Sequence, residues 1–553
     1  MTAGEATAET ILHDGRFHTM DPARPRAEAV AIRGGRILAV GTTAEVMARR
    51  GPATRLVDLR GAMVLPGLGD GHNHHVRGGQ LDLFELTVTP AHSFDEILAL
   101  VRARAAATPP DGWICGGVWS SELGERLRRQ DAKAALDEAG MGRPVMLRDD
   151  SLHNRWANTR ALQLAGITAA TPDPVDGEII RVPGSGEPVG LLVEKASALV
   201  ERAATAAVAD PASRDIAATR RAVEILNGYG VTHYQDANTT LPMLEALRAL
   251  DRAGALNAWC VASLPAYDTL SGTELYGEPL LDRREEFRTR HLRPDFVKLF
   301  MDGVPMTRTA AMLDPYLPDE TGRAVLCRSY VAMPELVRWF LRAERRGMGV
   351  KLHCAGDAAV RDTLDAIEIV REVNGPGPRH QIAHAGYVHP DDIARFARLD
   401  VVADLCPAIW VPSPIIAAIQ AVLPAERAER YWPFRAMREA GVLMAGGSDW
   451  PVVGLPNPWF GIEGMVTRQD PRGRHPGALW PEQALDLQAA LEVYTIGVAR
   501  ALGLEAEAGS IAAGKSADLA VLDRDLFAGP PTAIGGTRVL ATWFEGRVVH
   551  EAA

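Results

Sequence analysis

Two histidines one residue apart, His72 and His74, sit in the string His72-Asn73-His74-His75. Alternate side chains of an extended strand point the same way, so His72 and His74 can turn their imidazoles to one metal ion while His75 points away as a structural or supporting residue. More polar residues stand within or just after apolar runs: Lys298 in Phe296-Val297-Lys298-Leu299-Phe300, His353 in VKLHCAGD, His384 in QIAHAG and Asp449 in GGSDWP. Taken singly each has an ordinary use. A buried histidine is commonly a hydrogen-bonded core residue, and an aspartate after Gly-Gly-Ser can cap a helix. A lysine inside an apolar strand is harder to place, because burying an unpaired ammonium is costly. It needs a partner, a lowered pKa or a chemical modification. Four imidazoles, one amine and one carboxylate together form a set suited to metal-assisted chemistry.

These residues need a scaffold that brings distant segments to one face. The strand candidates, in order, are AMVLPGLGDGHNH, GVTHYQDAN, NAWCVAS, DFVKLFMDG, GVKLHCAG, HQIAHAG, VVADLCP and VLMAGGSDW, with helical stretches such as 333–346 and 357–372 between them. Eight strands alternating with helices predict an α/β chain with a parallel (β/α)8, TIM-like barrel, whose active sites lie at the C-terminal ends of the strands. A doubly wound open sheet is the competing architecture, but neither a GxGxxG fingerprint nor a P-loop is present. About 140 residues separate the first two strand candidates, too many for a βα loop, so an insertion is expected at about 80–215. At the N-terminal end, residues 27–41 read as a hairpin around Gly34-Gly35, and SADLAVLDRD and VLATWFEGRVVHE supply further short strands near the other end. Neither group buries a core alone. The expected organisation is therefore one small β-sandwich shared by residues 1–66 and 500–553, with the barrel and its insertion occupying 67–499.

Composition narrows the partners. The 553 residues carry 59 basic and 70 acidic side chains, a net charge of −11, which argues against nucleic acid. No run of about 18 apolar residues suggests a membrane span. The five cysteines (Cys115, Cys260, Cys327, Cys354, Cys406) form no CxxC pair, and the first residues lack a basic and an apolar signal region. A cytoplasmic, reducing location is expected.

The chain resembles the amidohydrolase superfamily, and within it the amidohydrolase-3 group of metal-dependent hydrolases that includes N-substituted formamide deformylase. LPGLGDGHNH is similar to the superfamily's PG-hydrophobic-hydrophobic-D-x-H-x-H opening. WICGGVWSS, HNRWANTRAL and GEPVGLLVEKA resemble the group's insertion motifs, and HCAGDAAV, IAHAGYVHPDDIARFA, GSDWPV and GSIAAGKSADLAVLD follow in its order. Trp450 departs from the smaller residue common after the aspartate. The resemblance implies a metal site of His72, His74, Lys298, His353, His384 and Asp449, holding one or two divalent ions with zinc as the default. Lys298 would be carboxylated and bridge them, which would resolve the buried ammonium. Asp449 would take a proton from the attacking water and pass it to the leaving nitrogen. The insertion would bring His153 and Trp119 to the substrate, with Trp156 and Asn158 near them. Trp410 and Trp450, after the seventh and eighth strands, would favour an apolar or aromatic substrate. No arginine cluster of the kind that clamps carboxylates is evident at the strand ends.

The resemblance makes the favoured activity hydrolysis of a C–N bond in a small amide or formamide. Cyclic amide hydrolysis, deamination by an aminohydrolase and metal-dependent decarboxylation are the enzymatic alternatives on this scaffold. A non-catalytic scaffold protein is the alternative of another class, and it usually requires lost ligands, of which none is missing. Homodimerisation is compatible with the resemblance.

Overall fold

The computed structural model describes residues 6–267, 275–318, 322–409 and 411–552. Eight parallel strands form the central sheet: β1 (Leu68–Asn73), β2 (Val231–Asp236), β3 (Trp259–Pro265), β4 (Leu292–Phe300), β5 (Gly349–Cys354), β6 (His380–His384), β7 (Val401–Leu405) and β8 (Met444–Gly446). Each pairs with the next in chain order, as repeated strand–helix crossovers require. Both faces of these strands are covered, which is why runs such as Val401-Val402-Ala403 need no polar alternation. The helix Met333–Glu344 shows how the outer ring is made. Its buried residues Leu336, Trp339, Phe340 and Ala343 recur at the i, i+3, i+4, i+7 spacing of one helical face. Burial of each large apolar side chain there contributes roughly 1.5–3 kcal/mol.

β1 and β8 meet side by side and close the barrel. Their approach depends on missing side chains: a Cβ on Gly447 would stand 2.6 Å from the His72 nitrogen, and one on Gly71 would stand 3.3 Å from the Gly446 oxygen. Just past β8 the Asp449 N–H donates to the carbonyl of His72 in β1 at 2.6 Å, and the His74 N–H donates to the Trp450 carbonyl at 2.8 Å. The backbone thus fixes the spacing of His72, His74 and Asp449 before any side-chain contact does.

The insertion leaves the barrel after the helix His75–Phe84 and rejoins it at the helix Pro211–Gly228. It builds its own six-stranded sheet from strands between Leu86 and Glu194, around a core that includes Val101, Leu136, Leu147 and Trp156. Its helix Phe94–Ala107 starts at a Ser93–Glu96 capping box.

Strands from the two ends of the chain hydrogen-bond to one another. Leu519–Leu522 pairs with Met63–Pro66 inside a six-stranded sheet that also holds Arg16–His18, Val539–Phe544 and Arg547–Glu551. A four-stranded sheet built from residues 10–58 lies against it, and Leu12, Phe17, Ile32, Val64, Leu519 and Trp543 share the core between them. No helix among the described residues is long and apolar enough to cross a membrane. Removing residues 504–553 strips the partner strand from Met63–Pro66 and opens that core; the truncated chain is expected in the insoluble fraction, and a soluble, cooperatively melting product would contradict the shared core.

Candidate metal centre

The ends of β1, β6 and β8 bring His72, His384 and Asp449 together, each offering a ligand atom within 4.8 Å of the others. His72 Nε2 lies 3.6 Å and His74 Nε2 3.4 Å from Asp449 Oδ1, while His384 Nδ1 lies 4.0 Å from Oδ2. These separations are too long for good hydrogen bonds and suit donors converging on a common cation. Burial, and then the ammonium groups of Lys351 and Lys298, hold the His72 imidazole well below its ordinary pKa. Burial and the neighbouring His353 do the same to His384. Neutral imidazoles and a carboxylate are the forms that bind divalent metals, so this donor set fits such an ion. The backbone is strained there: His384, Ala385 and Asp449 have φ values of 69°, 42° and 55°. Such left-handed non-glycine residues cost on the order of 1–3 kcal/mol each and persist where the surroundings impose them.

His353 and Lys298 stand beside this trio. The His353 ring centroid is 4.4 Å from that of His384 and stacks against Phe300 at 5.4 Å. The Lys298 amine sits 4.7 Å above the Phe300 ring, with no hydrogen-bond acceptor among the described residues. Burial and then the charge of Lys351 push it down to about 8. All six residues line one cavity of about 1100 Å³ counted out to its mouth.

A layer of carboxylates below fixes the imidazoles. Asp404, on β7, lies 2.7 Å from His72 Nδ1 and also accepts from the buried Lys351, whose ammonium donates to the Gly71 carbonyl (2.9 Å), Gln235 (3.1 Å) and Gln381 (3.0 Å). Asp302 lies 3.1 Å from His353 Nδ1 and receives the N–H groups of Ala311, Ala355 and Gly356 at 2.8–2.9 Å. With Nδ1 committed, His72 and His353 are left with Nε2 for a ligand. His75 turns away, as expected, and its Nδ1 lies 2.6 Å from Asp236. Sequence reading missed Asp404, Lys351 and Asp302; the one available signal was charged residues inside VVADL and GVKLH.

The expected substrate contacts divide. His153 lines the cavity, its Nδ1 2.8 Å from Glu194. Burial opposes its charged form, but Glu194 outweighs burial and leaves the imidazole above its ordinary range. Trp119 is not on the cavity wall: its indole is buried in the insertion core and donates to the Leu147 carbonyl at 3.1 Å. Trp450 is also packed inward, against the helix His75–Phe84, where an added Cβ on Gly78 would meet its ring at 2.3 Å. Trp156 belongs to the insertion core, and Asn158 caps the helix Thr159–Leu164. Trp410 lies outside the described residues. Apolar wall is supplied instead by Leu81, Phe300, Met306, Ile409, Ile415 and Val452. Arg77, Arg148 and Arg155 also line the cavity, reaching it from the first barrel helix and two insertion strands rather than from barrel strand ends.

The chain belongs to the Amidohydrolase family, whose model matches residues 55–550. Residues 29–49 also match a bacterial imidazolonepropionase-like composite domain. The chain is similar to N-substituted formamide deformylase of Arthrobacter pascens, with 31% identity covering 98% of each chain. It is similar as well to the Arabidopsis thaliana protein LONG AFTER FAR-RED 3, with 30% identity over 98% of this chain and 92% of that one. A crystal structure described as an uncharacterized metal-dependent hydrolase from Pyrococcus horikoshii shares the fold, with TM-score 0.74 and 23% identity over 94% of this chain and 99% of that one.

Asp404→Asn removes the charge that orients His72 and balances Lys351. It is expected to lower divalent-metal affinity about 10- to 100-fold, as loss of a carboxylate behind a ligating histidine does. A chelator-competition titration checks this, with a melting curve on the same sample to show that the fold survives.

Proposed function

We propose that the protein hydrolyses the C–N bond of a small acyclic amide or formamide with an apolar body, using one or two divalent ions, zinc by preference. The observation that carries this reading is the convergence of His72, His384 and Asp449 at the strand ends, with His74, His353 and Lys298 around the same cavity. An ion bound by these residues would supply Lewis acidity and a water of lowered pKa. Asp449, at the seam between β1 and β8, takes the proton from the attacking water and returns it to the leaving nitrogen. The aliphatic wall holds the substrate's apolar part and excludes water from it. The Lys298 amine, lowered to about 8, has an appreciable neutral fraction near neutral pH. The free amine can add to CO2 and release a proton, and the resulting carbamate anion would give Lys298 the charge of a metal ligand. The similarity to a formamide deformylase supports this bond and substrate class. A cytoplasmic setting agrees with five cysteines that are all unpaired thiols.

The reading is tested by measuring amine release from formamides, N-acyl amines and lactams, with CO2 release from aryl carboxylates as the contrast. Acyclic amides or formamides are expected to react; exclusive turnover of lactams or carboxylates would replace the reading. Asp449→Asn keeps the size of the side chain and cannot accept the proton. Its kcat is expected to fall roughly 10²- to 10⁴-fold with metal content retained. Near-normal turnover in the metallated variant would remove Asp449 from proton transfer.

A further inference from the structure

The arginines on the cavity wall belong to a buried ion cluster that joins the insertion to the barrel. Arg148 donates to Glu201 at 2.7 and 3.3 Å and also to Glu85. Arg155 donates through Nε to Glu201 at 2.8 Å and through Nη1 to the Leu152 and Asn154 carbonyls at 2.7 and 3.0 Å. Arg77 reaches Glu201 at 3.6 Å and Arg214 reaches Glu85 at 4.0 Å. Four guanidiniums therefore surround two carboxylates.

A cluster that served only to hold two parts of the chain together would be expected to balance its charge, because an unpaired buried ion is strongly destabilising. Among the described residues no other acid forms an ion pair with these guanidiniums. Asp149 accepts from Asn154 at 2.8 and 2.9 Å and from Ser151, and its charge reaches Arg155 only through space. Asp150 is bonded to Ser121, and burial and the Asp149 charge push its carboxyl above the usual range, toward the neutral form. Asp215 bonds Gln80 at 2.7 Å; burial raises its carboxyl pKa against the opposing charges of Arg77 and Arg214.

Arg155 has one arm left over. Its side chain is only 3% exposed, yet its Nη2 has no acceptor among the described residues and is not sealed in the interior. Arg155 is one of the residues that line the cavity. Arg77, 23% exposed on the same wall, has its Nε unpaired. Two partly free guanidiniums held by buried carboxylates form a rigid fork suited to a planar oxyanion.

We infer that this wall recognises a carboxylate carried by the substrate, so that the preferred amides are acidic ones. The inference rests on the amide-hydrolase reading for the reacting end of the substrate, but its test does not require turnover. Phenylacetate and phenylacetamide are titrated calorimetrically into the metal-loaded protein, the chelator-treated protein, Arg77→Gln and Arg155→Lys. Arg155→Lys keeps the buried charge while removing the free arm, and melting curves confirm that both variants fold. Phenylacetate is expected to bind more tightly than phenylacetamide with or without metal, and to weaken about 10- to 100-fold in either variant. Equal binding of the two probes, or phenylacetate binding that disappears with the metal and survives both substitutions, would overturn the inference. In the turnover arm, N-formylphenylalanine is expected to exceed N-formylphenethylamine in kcat/KM, with the ratio falling at least tenfold in Arg77→Gln. Carboxylate binding at the arginines without hydrolysis of any amide would sink the C–N reading and leave the recognition site standing.

Discussion

The first strand of the barrel and the segment just past the last must come close enough for their backbones to bond, and the candidate metal centre follows from that closure. Gly71 and Gly447 leave no side chain in the seam, and the Asp449 N–H reaches the His72 carbonyl across it. Residues separated by 377 positions in the chain thus acquire a fixed spacing set by the main chain. Ligands placed this way need little side-chain reorganisation to meet an ion. The left-handed backbone at His384 and Asp449 is tolerated because the surrounding barrel over-determines it.

Beneath the seam the barrel interior is unusually polar for a packed core. Lys351 sits fully buried among a carbonyl, two amides and Asp404. Its charge is satisfied, but its field still reaches upward and adds to burial, the larger cause, in depressing His72, Lys298 and His384. This favours imidazole ligands without protons and a lysine that can exist as the free amine. Asp404 couples the two layers, because one carboxylate serves both the buried ammonium and the imidazole of His72.

Much of this was legible in the residue order. Alternation in His72-Asn73-His74, and polar residues ending apolar runs at His353, His384 and Asp449, pointed to a strand-end site, and the eight runs themselves pointed to a barrel. Asp404 and Lys351 were not legible, since each looks like an interruption of an ordinary strand until the closed barrel shows what it faces. The arginine wall was hidden for a similar reason: Arg77, Arg148 and Arg155 come from a barrel helix and the insertion, which only tertiary packing juxtaposes. Trp119 and Trp450 show the opposite error. Proximity in sequence to motif residues suggested substrate contact, whereas their area is spent on cores behind the cavity.

The sheet shared by the two ends of the chain also sets a timetable for synthesis. Met63–Pro66 hydrogen-bonds to Leu519–Leu522, so the N-terminal strands emerge from the ribosome long before their partner exists. At about 5–20 residues per second, that wait is roughly half a minute to a minute and a half. Throughout it the N-terminal strands present an unpaired edge and an unfinished apolar face while the barrel is still being made. Completion of this sheet therefore reports that translation has passed Leu522. Chains released early keep an exposed edge by which cellular quality control can tell them from finished enzyme.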